Sequence, residues 1–259
     1  MADRRLPAHR LGLIAIALVG MAMMAWQMRW DWLFEYREAI LGGLWLTLGL
    51  LVTTSVAGFL LAVPLGLMQV TGPRPLAWLA RGFCTLIRGT PLLLQIWLLY
   101  YGLGSLFPYL PGVRQTWLWP YLTESWPYAF AALTLSFAGY EGEVMRGAFA
   151  GVPKGELEAA RSLGMHPLTI LRRIWLPRAV QRVLPTLNGE LIIQLKATPL
   201  VATIAAVDTY AVFGRIRQET YLVYEPLLLM ALIYLILAGL ITLGFSSLER
   251  SWSRRSGGR

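Results

Sequence analysis

The chain has 259 residues, of which 56% are hydrophobic and only 14% are charged, and its formal net charge is +9. A water-soluble globular domain carries about 25% charged residues, and a disordered chain lacks this much apolar surface. The composition therefore excludes both classes and favours an integral membrane protein. A single cysteine, Cys84, excludes an internal disulfide and a cysteine metal cluster.

Long apolar stretches with few charges recur along the chain and predict six transmembrane helices. They lie at about residues 11–28, 41–69, 86–106, 127–150, 187–207 and 222–247. Each approaches the ~20 residues that a membrane crossing needs, and the third and fourth are the least uniformly apolar. The first stretch could instead be a secretory signal peptide. No convincing A-x-A cleavage site closes its apolar run, so we expect a retained anchor.

The basic residues predict the orientation of these spans. With a cytoplasmic N-terminus, seventeen of the 23 lysines and arginines fall in inside segments or near the inside ends of spans, five fall in outside loops, and Lys196 falls in the middle of a span. Positive charge accumulates on the cytoplasmic side of a membrane protein, so we expect both termini there. The same charge is spread over one membrane face instead of clustering on one element, which argues against nucleic-acid binding.

Motifs for catalysis and for nucleotide binding are missing from the sequence. No G-x-x-x-x-G-K-[ST] loop, H-E-x-x-H pair or G-x-S-x-G elbow occurs, and His9 and His166 are the only histidines. We therefore predict a non-catalytic protein without a bound cofactor or a metal site. Such a membrane protein moves a solute or supports another protein that does.

The longest predicted cytoplasmic segment, between the fourth and fifth spans, reads as two short helices. The first covers about residues 156–163 and has acidic residues in its opening turn, as the helix dipole favours. Gly164 can end it in the left-handed conformation, and Pro167 suits the first position of the next helix. Pro177 and Pro185 are then expected to kink or break the path into the fifth span.

This segment also contains the most specific motif of the chain, E-A-A-x3-G-x9-I-x-L-P. The matching residues are Glu158, Ala159, Ala160, Gly164, Ile174, Leu176 and Pro177. The motif resembles the EAA loop, the signature of permease subunits of bacterial ABC importers. That resemblance implies that the helix around Glu158 couples the spans to a separate ATP-hydrolysing subunit, with these residues as the coupling site. The alternative is an amphipathic linker that only faces solvent.

Three other stretches resemble the polar amino acid permeases of the histidine, glutamine, arginine and opine group. They are Arg88-Gly-Thr-Pro-Leu-Leu-Leu-Gln95, Tyr140 to Phe149, and Lys196 to Leu200. The chain departs from the pattern of the group at Gly142, where alanine is usual, and at Ala197 and Pro199, which stand for Asp and Ser.

The resemblance covers about residues 40–247 and implies an all-α fold. It places a five-helix type I ABC importer permease core at 41–247, with the coupling loop at about 151–182. Residues 1–40 would add a cytoplasmic tail, an extra transmembrane helix and a periplasmic loop, and residues 248–259 a basic cytoplasmic tail.

By the same resemblance the chain is the permease subunit of an importer for polar amino acids in the bacterial inner membrane. Its implied partners are an ATP-binding subunit, which would bind the ATP, a second permease subunit that is identical or different, and a periplasmic amino acid-binding protein. The lipid bilayer surrounds the spans.

Charged residues inside spans are costly, so they are candidates for the substrate pathway. They are Glu141, Glu143, Glu190 and Lys196. Glu143 and Arg146 lie three residues apart on one helical face, which predicts an internal ion pair. Glu141 has no obvious local partner, and a free carboxylate in the pathway would attract an ammonium or a guanidinium group. A basic or opine-type substrate is therefore a further hypothesis.

Two other kinds of function remain open at this stage. An ion-coupled secondary amino acid transporter would use broken helices and buried charges, but it has no use for an EAA loop. A structural assembly subunit would tolerate Glu158→Lys without any loss of transport.

Overall fold

The computed structural model describes residues 27–256, with side chains through residue 247, and every regular element in that part is helical. The N-terminal tail and nearly all of the expected first span at 11–28 lie outside the described residues. Twelve α-helices are described: α1 (Trp32–Glu35), α2 (Arg37–Thr71), α3 (Arg74–Gly89), α4 (Leu92–Trp97), α5 (Gly104–Leu106), α6 (Trp119–Leu122), α7 (Trp126–Ala150), α8 (Lys154–Ser162), α9 (Pro167–Ile170), α10 (Leu176–Ala197), α11 (Thr209–Thr220) and α12 (Tyr224–Ser256).

Short segments of other helical geometry join some of these helices. Two are π-helices, Leu98–Leu103 and Leu171–Trp175, and three are 3-10 helices, Phe107–Tyr109, Val113–Gln115 and Thr198–Ile204. The expected basic tail at 248–259 is helical in its first part, because α12 continues to Ser256.

Helices α2 and α7 form the centre of the bundle, where two glycines allow a close crossing. A Cβ at Gly58 would lie 2.9 Å from Cδ1 of Phe137, and one at Gly66 would lie 2.7 Å from Cβ of Met145. Small residues permit such close approach between membrane helices. The close packing of α2 on α7 therefore fixes the position of the C-terminal end of α7.

Three described helical stretches are long and apolar enough to cross a membrane: Arg37–Thr71, Leu92–Tyr109 and Tyr224–Ser247. A fourth candidate is a bent pair, Pro167–Ile204 and Thr209–Thr220, with an angle of 56° between its two parts. The expected span at 127–150 coincides with the continuous helix α7. That helix is not among these candidates, because Glu141, Glu143 and Arg146 lower its hydropathy.

The start of the expected span at 86–106 is wrong. Helix α3 ends at Gly89, and Thr90 is extended, with φ −112° and ψ 139°. The residue before a proline, here Pro91, avoids the helical conformation, so the chain starts a new helix at Leu92. The candidate membrane crossing in this part of the chain is therefore Leu92–Tyr109.

Of the kink or break expected at Pro177 and Pro185, a break does not occur. The helix continues from Pro167 to Ile204, past Pro177 and Pro185. A proline ring collides with the carbonyl group four residues earlier in a regular α-helix. The wider π-helix Leu171–Trp175 ends two residues before Pro177 and gives its ring room.

Candidate functional site

Residues 154–177, which we call the knuckle, form a helix–turn–helix at the C-terminal end of α7. Helix α8 ends in a Schellman motif: the N–H of Met165 donates to the carbonyl oxygen of Ala160 at 3.2 Å, and that of Gly164 donates to the carbonyl oxygen of Arg161 at 2.9 Å. Gly164 has φ +71°, as the motif requires. The predicted turn at Gly164 is confirmed.

The second half of the knuckle begins with a cap. Nδ1 of His166 accepts a hydrogen bond from the N–H of Leu168 at 3.3 Å, and Pro167 takes the first position of α9. Nε1 of Trp175 then donates to the carbonyl oxygen of Phe149 at 2.9 Å, and the rings of Trp175 and Phe149 pack edge to face at 5.6 Å. This contact attaches the knuckle to the end of α7.

Some of the motif residues pack the knuckle against the bundle, and others have side chains that are exposed. Ala160 is only 3% exposed and packs in a core with Phe149 and Val183. Ile174 and Leu176 are partly buried against the same core. In contrast, Glu158 and Ala159 are exposed. The free side chains therefore lie on a knuckle that is fixed to the bundle from behind.

A concave surface of 730 Å³ opens beside the free residues of the knuckle. An ion pair stands at its edge, in which Nε of Arg178 donates to Oε2 of Glu156 at 3.0 Å. Sequence reasoning missed this pair, because the two residues are 22 positions apart and no motif links them. The surface is lined by Glu156, Ala159, Ala160, Leu163, Met165, Arg173, Ile174, Pro177, Arg178 and Gln181.

The second candidate site is a group of charged side chains where α7 faces α3 and α10. Glu143 accepts from Nε of Arg146 at 2.9 Å, which confirms the predicted ion pair, and lies 3.9 Å from an Nη of Arg88. The guanidinium of Arg88 also lies 5.8 Å from the centre of the Tyr140 ring. Sequence reasoning placed Arg88 in a motif but did not predict these contacts.

Glu141 is the exception in this group. It is fully buried, at 0% exposure, and neither of its carboxylate oxygens has a hydrogen-bond partner among the described residues. Glu190 of α10 is half-buried and close enough to interact with it electrostatically. A buried carboxylate without a hydrogen-bond partner is costly. A hydrogen-bond donor from outside the described chain would therefore stabilise Glu141.

Lys196 does not join these carboxylates. It is exposed and forms no ion pair with another residue in 27–247. Two residues earlier, on the other side of α10, Gln194 is buried, and its Nε2 donates to Oγ1 of Thr54 at 3.0 Å and to the carbonyl oxygen of Leu133 at 3.2 Å. This amide ties α10 to α2 and α7.

Asp208, which sequence reasoning did not single out, is buried at the start of α11. Its Oδ1 accepts from the N–H of Ala211 at 2.9 Å, and Oγ1 of Thr47 shares a 2.8 Å hydrogen bond with Oγ1 of Thr209. An aspartate before a helix is a recognisable N-cap, so this signal was available in the sequence. The contacts fix α11 against α2.

The match to known proteins extends over most of the chain. Residues 54–254 match a family described as the inner membrane component of binding-protein-dependent transport systems. An octopine transport system permease protein of Rhizobium meliloti is 37% identical over 224 residues, which are 86% of this chain and 90% of that protein. An arginine ABC transporter permease protein of Escherichia coli K12 is 34% identical over 220 residues, or 84% and 96% of the two chains.

Solved structures show the same fold. A crystal structure of an amino acid ABC transporter with histidines aligns with a TM-score of 0.72 and 29% identity, covering 86% of this chain and all of that one. An inward-facing methionine ABC transporter aligns with a TM-score of 0.64 over 84% of this chain, at 19% identity, and supports the fold alone.

Proposed function

The chain belongs to the family of inner membrane components of binding-protein-dependent transport systems, and from this premise we propose that it carries cationic amino acids or opines. It is a permease subunit of an amino acid or opine ABC importer. The single observation that supports a cationic substrate is Glu141, a buried carboxylate that no described residue hydrogen-bonds. The relatives at 34% and 37% identity are named for arginine and octopine.

Glu141 and Glu190 are suited to a guanidinium or an ammonium group. Two carboxylates near each other repel when both are ionised, and a cation between them removes that cost and forms charge-assisted hydrogen bonds. Glu143 is already occupied by Arg146, and Lys196 repels a cation. Within the four predicted pathway residues we therefore assign the substrate contact to Glu141 and Glu190.

The knuckle is the proposed contact with the ATP-binding subunit, in which the ATP would bind. The exposed Glu158 and Ala159 and the concave surface beside them offer a docking area, while Ala160, Ile174 and Trp175 hold the knuckle to α7 and α10. A rigid attachment of this kind transmits displacement instead of absorbing it. A second permease subunit and a periplasmic amino acid-binding protein complete the proposed assembly.

The proposed location is the bacterial inner membrane, with six spans and both termini in the cytoplasm. The bias of basic residues supports this orientation, because seventeen of the 23 fall on the side that carries the knuckle. Helix α7 is then a span whose charges face the interior of the protein. That placement agrees with the burial of Glu141.

A competition assay tests the proposed function. The permease is reconstituted in proteoliposomes with its ATP-binding subunit and its binding protein, and uptake of labelled arginine is measured against unlabelled competitors. We expect ATP-dependent uptake that excess arginine or octopine abolishes and excess glutamine does not. If glutamine displaced the label and arginine and octopine did not, the cationic assignment would be wrong. If no uptake required ATP, the importer itself would be refuted.

A further inference from the structure

An apolar cavity of 510 Å³ lies between α2, α7, α10 and α12. Phe137 of α7 and Leu51 of α2, which are 4% and 5% exposed, form its inner end. Leu187 and Leu191 of α10 line one side. None of the residues in this lining is charged, and Ser55 is the only one of them with a polar side chain. The cavity therefore suits an apolar ligand.

The outer end of the cavity opens on the surface that faces the bilayer. Val52, Val56 and Leu60 of α2 and Leu240 of α12 belong to the lining, and each is between 56% and 67% exposed. Both helices contain stretches that are long and apolar enough to cross a membrane. Helix α12 packs against α10 and α11, and the cavity separates it from α2. A lipid tail can therefore enter from the bilayer between α2 and α12.

Water is a poor occupant of this cavity. A buried water makes about three hydrogen bonds, whereas the lining side chains offer only the hydroxyl group of Ser55. That hydroxyl group is buried and has no hydrogen-bond partner among the described residues. An apolar cavity of about 150 Å³ already stays dry and binds benzene, and this cavity is larger.

An empty cavity of this kind is also unfavourable. Its lining would lose the van der Waals contacts that a ligand supplies. The molecules that a bilayer offers at this depth are the hydrocarbon tails of its lipids. The lining and its continuity with the bilayer-facing surface therefore identify the same ligand.

We propose that the cavity binds one acyl chain of a bilayer phospholipid, which enters between α2 and α12 and ends against Phe137. Because the lining is uncharged, the phosphate group stays outside the cavity, at the bilayer surface. The chain also contacts Phe59 and Leu187, which pack against the core behind the knuckle. The lipid thus contributes to the packing of α2, α10 and α12. This inference does not depend on which substrate is carried.

Photolabelling from within the bilayer tests the proposal. The full complex is placed in nanodiscs of phosphatidylethanolamine and phosphatidylglycerol that contain a phospholipid with a diazirine at the end of one acyl chain. After irradiation, mass spectrometry identifies the labelled residues. We expect labelling of Phe137, which is buried and out of reach of lipid outside the cavity. If Phe137 stayed unlabelled, because water or another protein segment filled the cavity, the proposal would be overturned.

Two glycines of α12 provide a matched pair of variants. Gly244 lines the cavity and Gly239 does not, and a Cβ added at either position would meet no atom within 4 Å. Gly244→Leu should fill the cavity and abolish the labelling of Phe137, whereas Gly239→Leu should retain it. Undiminished labelling of Phe137 in Gly244→Leu would refute the site.

The position of the diazirine gives a readout that needs no variant. In the unaltered protein, a phospholipid with the diazirine on its headgroup should leave Phe137 unlabelled, while the chain-end probe labels it. Equal labelling of Phe137 by the two probes would mean that no acyl chain is specifically bound there, and it would also overturn the proposal.

Discussion

At the scale of single residues, three acidic side chains of similar sequence context differ in their surroundings. Glu143 is paired with Arg146, and Glu156 is paired with Arg178. Glu141 has no hydrogen-bond partner among the described residues, although it is the only one of the three that is fully buried. A carboxyl group that is buried without a hydrogen-bond partner is costly, so we infer that this one serves a ligand.

Glu141→Gln should therefore separate transport from stability. We expect the KM for arginine uptake to rise about tenfold or more, as the loss of a hydrogen bond to a charged group (about 1.5–3 kcal/mol) requires. The melting temperature should stay equal or rise, because the carboxyl group that is replaced has no hydrogen-bond partner among the described residues. Uptake kinetics and thermal unfolding measure the two effects. Glu143→Gln is the matched control on the same helix and should lower stability without this selective rise in KM.

The glycine at position 142 has a steric explanation. A Cβ there would lie 2.9 Å from Sγ of Cys84 and 3.3 Å from Cβ of Leu65. The sulfur of Cys84 thus occupies the space that the usual alanine would take. Nε2 of Gln69 points to the same sulfur at 3.6 Å.

This contact predicts a compensating pair of substitutions. Gly142→Ala alone should destabilise the protein by about 1–3 kcal/mol through overpacking. Gly142→Ala combined with Cys84→Ala should recover most of that loss, because the sulfur is gone. Thermal unfolding of the two single variants and the double variant gives the coupling. Strict additivity of the single effects would show that the two positions do not compete for space.

At the scale of elements, the knuckle depends on the turn at Gly164. The left-handed φ of +71° costs a residue with a side chain about 1–2 kcal/mol, and it sets the angle between α8 and α9. The position is otherwise open, since an added Cβ would meet nothing within 4 Å. Any effect of a substitution there comes from the backbone.

We expect Gly164→Ala to reduce substrate-stimulated ATP hydrolysis while basal hydrolysis by the ATP-binding subunit is kept. Gly164→Asn, which adopts the left-handed conformation more readily, should retain most of the stimulation. Hydrolysis is measured with and without loaded binding protein in proteoliposomes. Equal stimulation in both variants and in the unaltered protein would mean that the angle of the turn is unimportant.

The elements also show which features a sequence can predict. The turn at Gly164 and the start of α9 at Pro167 follow from the chemistry of one or two residues, and both are confirmed. The ion pair of Glu143 follows from helical spacing alone. The break at Thr90 was readable from Pro91 as well, but the apolar composition on both sides concealed it.

Other features depend on tertiary packing and leave no local signal. The pairing of Glu156 with Arg178 needs the helix–turn–helix to fold back on itself. The isolation of Glu141 depends on what α3 and α10 place around it. The continuity of the helix through Pro177 depends on a π-helix, which periodicity does not indicate.

At the scale of the whole molecule, the proposed orientation places the knuckle and the loop after the second described crossing on opposite sides of the membrane. Leu163 is 81% exposed in the knuckle, and Tyr109 is 84% exposed at the end of Leu92–Tyr109. In a Cys84→Ser background, we expect an impermeant maleimide to label Tyr109→Cys in cells whose outer membrane is permeable. Leu163→Cys should be labelled only after the inner membrane is opened. The reverse pattern would contradict the orientation.

In the proposed assembly, the exposed side of the knuckle joins this bundle to a separate ATP-hydrolysing subunit. Ala159 is exposed in the concave surface, whereas Ala150 is exposed at the end of α7 and outside that surface. The same substitution at the two positions therefore compares the docking area with its immediate surroundings.

The most direct test is substrate-stimulated ATP hydrolysis and uptake by complexes that carry Ala159→Trp or Ala150→Trp. We predict that Ala159→Trp abolishes both activities and releases the ATP-binding subunit during purification, while the melting temperature of the permease is unchanged. Ala150→Trp should retain stimulated hydrolysis, uptake and the bound subunit. If Ala159→Trp kept full substrate-stimulated hydrolysis and uptake, the exposed side of the knuckle would not be the contact with the ATP-binding subunit.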